Sequence, residues 1–161
     1  MDEFHRHITA ASGYLDLGLL DDAANELEEI AFDLKTRPEV IGLRVEIFRA
    51  AKRWDAMAMT ATQMTRLLPA DPKSWLALAF ATRRADSLEA ARAVLLEAEQ
   101  RHPDLPLVKF NLACFDCQLG DLASAKQRLS EAFQRDKSLR LAALEDPDLE
   151  PLWASLGADY L

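Results

Sequence analysis

"DSLEAARAVLLEA", residues 86–98, decides the fold because it recurs. Laid beside "GLLDDAANELEEI" (18–30), "KRWDAMAMTATQM" (52–64) and "GDLASAKQRLSEA" (120–132), it puts Ala23, Met57, Ala91 and Ala125 in one column at intervals of 34 residues. Leu20, Trp54, Leu88 and Leu122 form a second column, and Ile30, Met64, Ala98 and Ala132 a third. Tyr14 and Phe48, and the pairs Leu78-Ala79 and Leu112-Ala113, extend the register upstream. Within one copy, Leu88, Ala91, Leu95 and Ala98 fall at i, i+3, i+7 and i+10, the stripe of a helix rather than the alternation of a strand. Pro69 and Pro103, again 34 apart, end the second helices of their units. Pro38 comes three residues later than that spacing requires, which predicts a longer helix or loop in the first unit, and Lys137 holds the slot in the fourth. Each unit reads as two amphipathic helices joined by a short turn. A unit of this size cannot bury its apolar face alone, so the copies stack.

Composition agrees. The chain has 161 residues, 50% of them hydrophobic, with five glycines and seven prolines, which suits helices around a core and argues against disorder. The net charge of −8 repels a phosphate backbone, so nucleic acid is not expected as a partner. No stretch approaches 18 apolar residues, so no membrane span is expected. The start "MDEFHRHITAASGYLDL" lacks the apolar run of a secretion signal, and two cysteines are too few for a disulfide framework. The expectation is a cytoplasmic protein.

These residues resemble the tetratricopeptide repeat (TPR) family, whose 34-residue unit follows W-x2-L-G-x2-Y…A-x3-F…P. Unit three supplies Trp75, Leu78, Ala79, Ala91, Leu95 and Pro103, with Thr82 in place of the aromatic residue. Unit four supplies Leu112, Ala113, Gly120, Ala125 and Leu129, with Asp116 in that aromatic slot. Unit one keeps Ala11, Tyr14, Gly18, Ala23 and Leu27. Unit two departs at Arg44 and Met57 but keeps Phe48, Trp54 and Pro69. The resemblance implies an all-α, right-handed superhelical solenoid of about four helix-turn-helix repeats in a single domain, 1–161. The repeats are expected at about 4–37, 38–71, 72–105 and 106–139, with a capping segment at 140–161. In that segment Leu149, Leu152, Trp153 and Leu156 form an apolar stripe, which predicts a helix N-capped by Asp148 with Pro151 in its first turn. A helix that vacates the groove when a ligand arrives is the alternative to a cap.

The only cysteines, Cys114 and Cys117, form a C-x-x-C. In the repeat register they lie inside the first helix of unit four, away from the helix N-terminus that stabilises a reactive thiolate. A structural zinc site needs four ligands, and no second cysteine pair or suitably spaced histidine joins them. No phosphate loop, nucleophile elbow or H-E-x-x-H stretch occurs. The acidic pairs Asp21/Asp22 and Glu28/Glu29 read as a helix start and a solvated face. No enzymatic activity, cofactor or metal is expected.

In the family the first helix of each unit lines a concave groove that holds a partner's peptide or helix. Carried onto this sequence, the groove positions include Arg49 from unit two, Lys73, Leu76, Phe80 and Arg83 from unit three, and Phe110, Asn111, Cys114 and Cys117 from unit four. Leu76, Phe80 and Phe110 would form an apolar patch, with Arg49, Lys73, Arg83 and Arg84 adding positive charge beside it. That mixture suits a peptide bearing acidic and hydrophobic residues. The lysine-asparagine-arginine clamp by which some family members grip acidic chaperone tails is absent: Ile8, Ser12, Leu43 and Ala77 hold most of its places and only Lys73 remains. The leading expectation is a non-enzymatic interaction scaffold, a monomer or weak homo-oligomer. A type III secretion-type chaperone for hydrophobic secreted proteins, a C-x-x-C redox or metal-binding protein, and a self-assembling scaffold are the alternatives.

Overall fold

In the computed structural model, which describes residues 2–158, helices begin where the sequence columns do. In order they are α1 (Glu3–Asp16), α2 (Leu20–Glu28), α3 (Pro38–Ala50), α4 (Trp54–Leu67), α5 (Pro72–Ala85), α6 (Leu88–Arg101), α7 (Pro106–Gln118), α8 (Leu122–Arg135), α9 (Leu139–Glu145) and α10 (Trp153–Ala158). Helices α2, α4, α6 and α8 start on the Leu20, Trp54, Leu88 and Leu122 column. Helices α3, α5 and α7 start on Pro38, Pro72 and Pro106, where the missing N–H costs no hydrogen bond and the fixed φ favours the first turn. Among the described residues there is no strand.

The chain forms two compact units, Met1–Ser87 and Leu88–Leu161. In the first, α1 packs on α2, α3 on α4 and α4 on α5. One core gathers Phe4, Ala11, Ala23, Leu27, Ile30, Val40 and Ile47. A second gathers Val45, Met57, Ala61, Ala77 and Ala81, with Phe48, Trp54 and Phe80 laid against it. In the second unit, α7 packs on α8 and α6 on α7, around Leu95, Val108, Leu112 and Leu129. The alanines of the repeat columns, Ala23, Ala91 and Ala125, are fully buried. Small residues there let helix backbones approach, and the leucines fill what remains.

The turn between the paired helices needs a left-handed residue. Gly18 (φ 75°) and Gly120 (φ 86°) supply it without strain, whereas the equivalent position in the second repeat is Lys52 (φ 55°). In the third repeat Asp86 has φ −130°, so that turn is built differently.

Of the longer helix or loop expected before Pro38, the loop is present: α2 spans only nine residues, a 3₁₀ turn at Phe32–Leu34 fills the gap, and Pro38 opens α3 in register with Pro72 and Pro106. One expectation is corrected. The C-terminal segment is not one helix capped by Asp148. Asp146 is the cap, its carboxylate accepting from the Asp148 N–H at 2.9 Å, and it opens a 3₁₀ turn at Pro147–Leu152 before α10. Because the turn already begins at Pro147, Pro151 falls beyond the first turn, where its missing N–H leaves the Pro147 carbonyl without an α-helical donor. Helix α9, which no sequence signal singled out, precedes this turn. Leu149 and Leu152 are buried as the stripe requires, and residues 159–161 lie outside the described part.

Asp116, in the slot where the resemblance leads one to expect an aromatic residue, is fully buried. Its carboxylate accepts from the Arg92 Nε at 2.6 Å and from the Arg128 Nη1. Arg128 also reaches Glu99, at 3.2 Å, and Lys109 bridges Glu99 (3.2 Å) to Glu131 (2.7 Å). A polar chain therefore ties α6, α7 and α8 together where the family consensus places a ring. Burying a carboxylate is tolerable only with such partners.

Candidate peptide-binding surface

In the first unit, the groove candidates of α3 and α5 meet. Lys73, Leu76, Phe80 and Arg83 lie at i, i+3, i+7 and i+10 along α5, hence on one face. From α3, the Arg49 guanidinium sits 5.2 Å from the Phe80 ring centre, while Glu46 pairs with it at 3.6 Å. Lys73 is exposed, and Leu76, Phe80 and Arg83 are half-buried. Phe80 is partly structural: it meets Trp54 edge to face at 5.8 Å and packs on the Val45 core, leaving part of the ring outward. Arg84 covers Phe80 at 5.0 Å and Trp54 at 5.3 Å. Guanidinium groups held over aromatic faces keep their donors directed outward, which suits carboxylate recognition.

The second unit differs from expectation. Of its four groove candidates only Asn111 is partly open, and its amide donates to the Leu107 carbonyl of its own helix at 2.8 Å. Phe110, Cys114 and Cys117 are buried, with 7%, 4% and 4% of their surface exposed. They are not open groove lining here. The 3₁₀ turn at Pro147–Leu152 packs on α7, the Cys114 thiol lies 3.6 Å from the Asp146 carboxylate, and Gln118 donates to Asp148. The family resemblance implied that these positions line the groove, but the chain's own C-terminal segment covers them.

Neither thiol is in a disulfide, and the surroundings of both favour the protonated form. Burial, reinforced by the negative Asp146, pushes the Cys114 thiol far above its ordinary range. Cys117 shifts the same way, through burial and then Asp148. A thiol kept protonated is a poor nucleophile and a poor metal ligand, so the environment opposes C-x-x-C chemistry.

Reading by repeat position missed Lys52, Arg53, Trp54 and Met59, which with Arg84 line a shallow cavity of about 490 Å³ in the first unit. The cation-rich run "RAAKRW", 49–54, was the available signal. Trp54 is assigned to packing by its column, and the column does not reveal that one edge of the ring faces outward.

No known protein family matches the chain, and no curated protein does. Solved structures do. MamA MSR-1 C2 superposes with a TM-score of 0.66 at 16% identity, covering 86% of this chain and 79% of that one. PcrH, solved in complex with the chaperone binding region of PopB, superposes with a TM-score of 0.54 at 22% identity, covering 81% of this chain and 97% of that one. At such identities the likeness speaks for architecture alone. Together with helix starts that repeat every 34 residues, it makes this chain an all-α, TPR-like helical repeat protein.

Proposed function

We infer that the protein is a non-enzymatic member of the tetratricopeptide repeat family that docks a partner's peptide or helix. It acts as one scaffold of four repeats, at about 4–37, 38–71, 72–105 and 106–139, closed by the segment 140–161. The observation that carries this reading is the exposed basic and aromatic face where Arg49 of α3 lies over Phe80 of α5, with Lys73, Leu76 and Arg83 along the same helix. On a chain of net charge −8, that face selects acidic segments carrying hydrophobic side chains. The protein works in the cytoplasm as a monomer or weak homo-oligomer, without nucleic acid or a membrane.

A peptide array tests it. Acidic-hydrophobic peptides should be retained over basic-hydrophobic ones, and Arg49→Glu combined with Leu76→Asp should abolish the preference while circular dichroism stays unchanged. An array without preference, or a variant that binds as before, refutes the reading. Phe110 is unsuitable for such a test, since a charge at that buried position would disturb folding.

A second reading is a secretion-type chaperone. It is favoured by the superposition over nearly the whole of PcrH, which was solved with a segment of PopB. Co-purification with an apolar secreted polypeptide, lost on Leu76→Asp, would select it over a scaffold for acidic peptides.

A further inference from the structure

We propose that the cavity between the α3–α4 turn and the C-terminal end of α5 is a second docking site, adjoining the groove face at Arg84, for an acidic polypeptide segment that inserts one aromatic or aliphatic side chain. Three observations point there. First, Lys52, Arg53 and Arg84 make no ion pair with a carboxylate among the described residues. Arg53 instead lies over Phe48 at 5.2 Å, and Arg84 over Trp54 and Phe80. Arg44, Arg92, Arg101, Arg128 and Arg135 hold carboxylates, whereas at this cavity three cations gather without such a partner on an acidic protein.

Second, the apolar lining is exposed. Met59, 77% accessible, flanks the half-buried Trp54 at the cavity, and the indole N–H of Trp54 has no hydrogen-bond acceptor among the described residues. A side chain entering the roughly 490 Å³ space would cover both, and the backbone or carboxylate beside it would meet the indole donor. Asp55 is the one acid in the lining, which leaves the positive charge in excess.

Third, Lys52 occupies a left-handed backbone position (φ 55°) where the first and fourth repeats have glycine. For a residue with a Cβ that conformation is strained, and glycine would relieve it. The left-handed penalty outweighs the unfolded-state entropy that lysine removes, so on balance lysine does not stabilise this turn. Its charge lies beside Arg53 in the cavity lining. Carboxylates spaced along a peptide match Lys52, Arg53 and Arg84, and the ring-stacked guanidiniums retain free edges for them.

The test uses the full chain and a fluorescein-labelled peptide, EEDFEDE, with EEDSEDE and a single-stranded oligothymidylate as comparisons, read by fluorescence anisotropy. Lys52→Gly is the informative variant, because it removes charge and strain together and so leaves the fold at least as stable. It should weaken EEDFEDE about threefold, as expected for one exposed ion pair, and Arg84→Glu should weaken it about tenfold or more, since a like charge replaces a stacked partner. EEDSEDE should bind more weakly than EEDFEDE, and added salt should weaken both. Equal binding by wild type and Lys52→Gly, indifference to the phenylalanine, or tighter binding of the oligothymidylate overturns the proposal. The groove reading is tested apart from it: Arg49→Glu with Leu76→Asp leaves Lys52, Arg53 and Met59 in place. Loss in that variant alone sinks the cavity and keeps the groove, and the opposite pattern does the reverse.

Discussion

Replacing Asp116 by alanine should unfold the second unit far more readily than any surface change. The carboxylate is fully buried, and two arginines depend on it: Arg92, with 29% of its side chain exposed, and Arg128, with 18%. Deleting one member of a buried ion pair costs about 3–5 kcal/mol, because the partner charges remain in a poorly solvated place. Here both guanidiniums reach some water, and Arg128 keeps Glu99, so the loss belongs at the low end, about 3 kcal/mol. With a urea dependence of about 1.5–2 kcal/mol/M, the midpoint falls by about 1.5–2 M. Both cysteines of the chain lie in this unit and are buried, so pulsed thiol labelling across a urea series reports its unfolding without interference from residues 1–87. Adding Arg92→Ala to Asp116→Ala should cost less than the two single effects summed, since the same contact is lost only once. A midpoint shift corresponding to less than about 1 kcal/mol would show that the network contributes little net stability and would refute the reasoning.

Other outcomes follow from single contacts. Lys52→Gly removes a left-handed penalty of about 1–2 kcal/mol but gives the unfolded chain roughly 0.5–1 kcal/mol more entropy, so thermal unfolding should show a net gain of about 0.5–1 kcal/mol. Ala125→Leu inserts bulk at a fully buried packing position between α8 and its neighbours and should cost about 1–3 kcal/mol in the same assay. The Cys114 thiol is raised by burial and by Asp146, so its folded value exceeds the unfolded value of about 9. The stability it contributes is complete below about pH 9 and is lost as pH rises further. Wild type should therefore weaken in alkali more than Cys114→Ala does, as measured by urea midpoints at rising pH. Glu131 is held below the ordinary carboxylate range by hydrogen bonding to Lys109 and then to Gln127, so its contribution is present above about pH 4.5 and disappears as pH falls below that. Lys109→Met should flatten the acid limb of the stability profile.

Much of this architecture was legible from residue spacing. Columns 34 apart located the starts of α2, α4, α6 and α8, because the shape of a small or large side chain at a fixed helical position is enough to dictate how neighbouring helices nest. The α5 stripe of Lys73, Leu76, Phe80 and Arg83 was legible for the same reason: helical periodicity fixes which residues share a face.

What periodicity cannot state is what covers a face. Phe110, Cys114 and Cys117 stand at groove positions by the family resemblance, yet the 3₁₀ turn at Pro147–Leu152 returns to pack on α7, and the Cys114–Asp146 contact beside it joins residues 32 apart, which no local pattern encodes. Asp116 looked like a failed aromatic until Arg92 and Arg128, 24 residues before it and 12 after it, closed on its carboxylate. The cavity lined by Lys52, Trp54, Met59 and Arg84 likewise exists only once α3, α4 and α5 are packed. Sequence alone determined the repeat, its register and the helical faces, all of which are local consequences of side-chain size and hydrophobic period. Tertiary structure decided which faces stay open and which charges find partners, because burial and ion pairing depend on distances between segments that spacing along the chain does not contain.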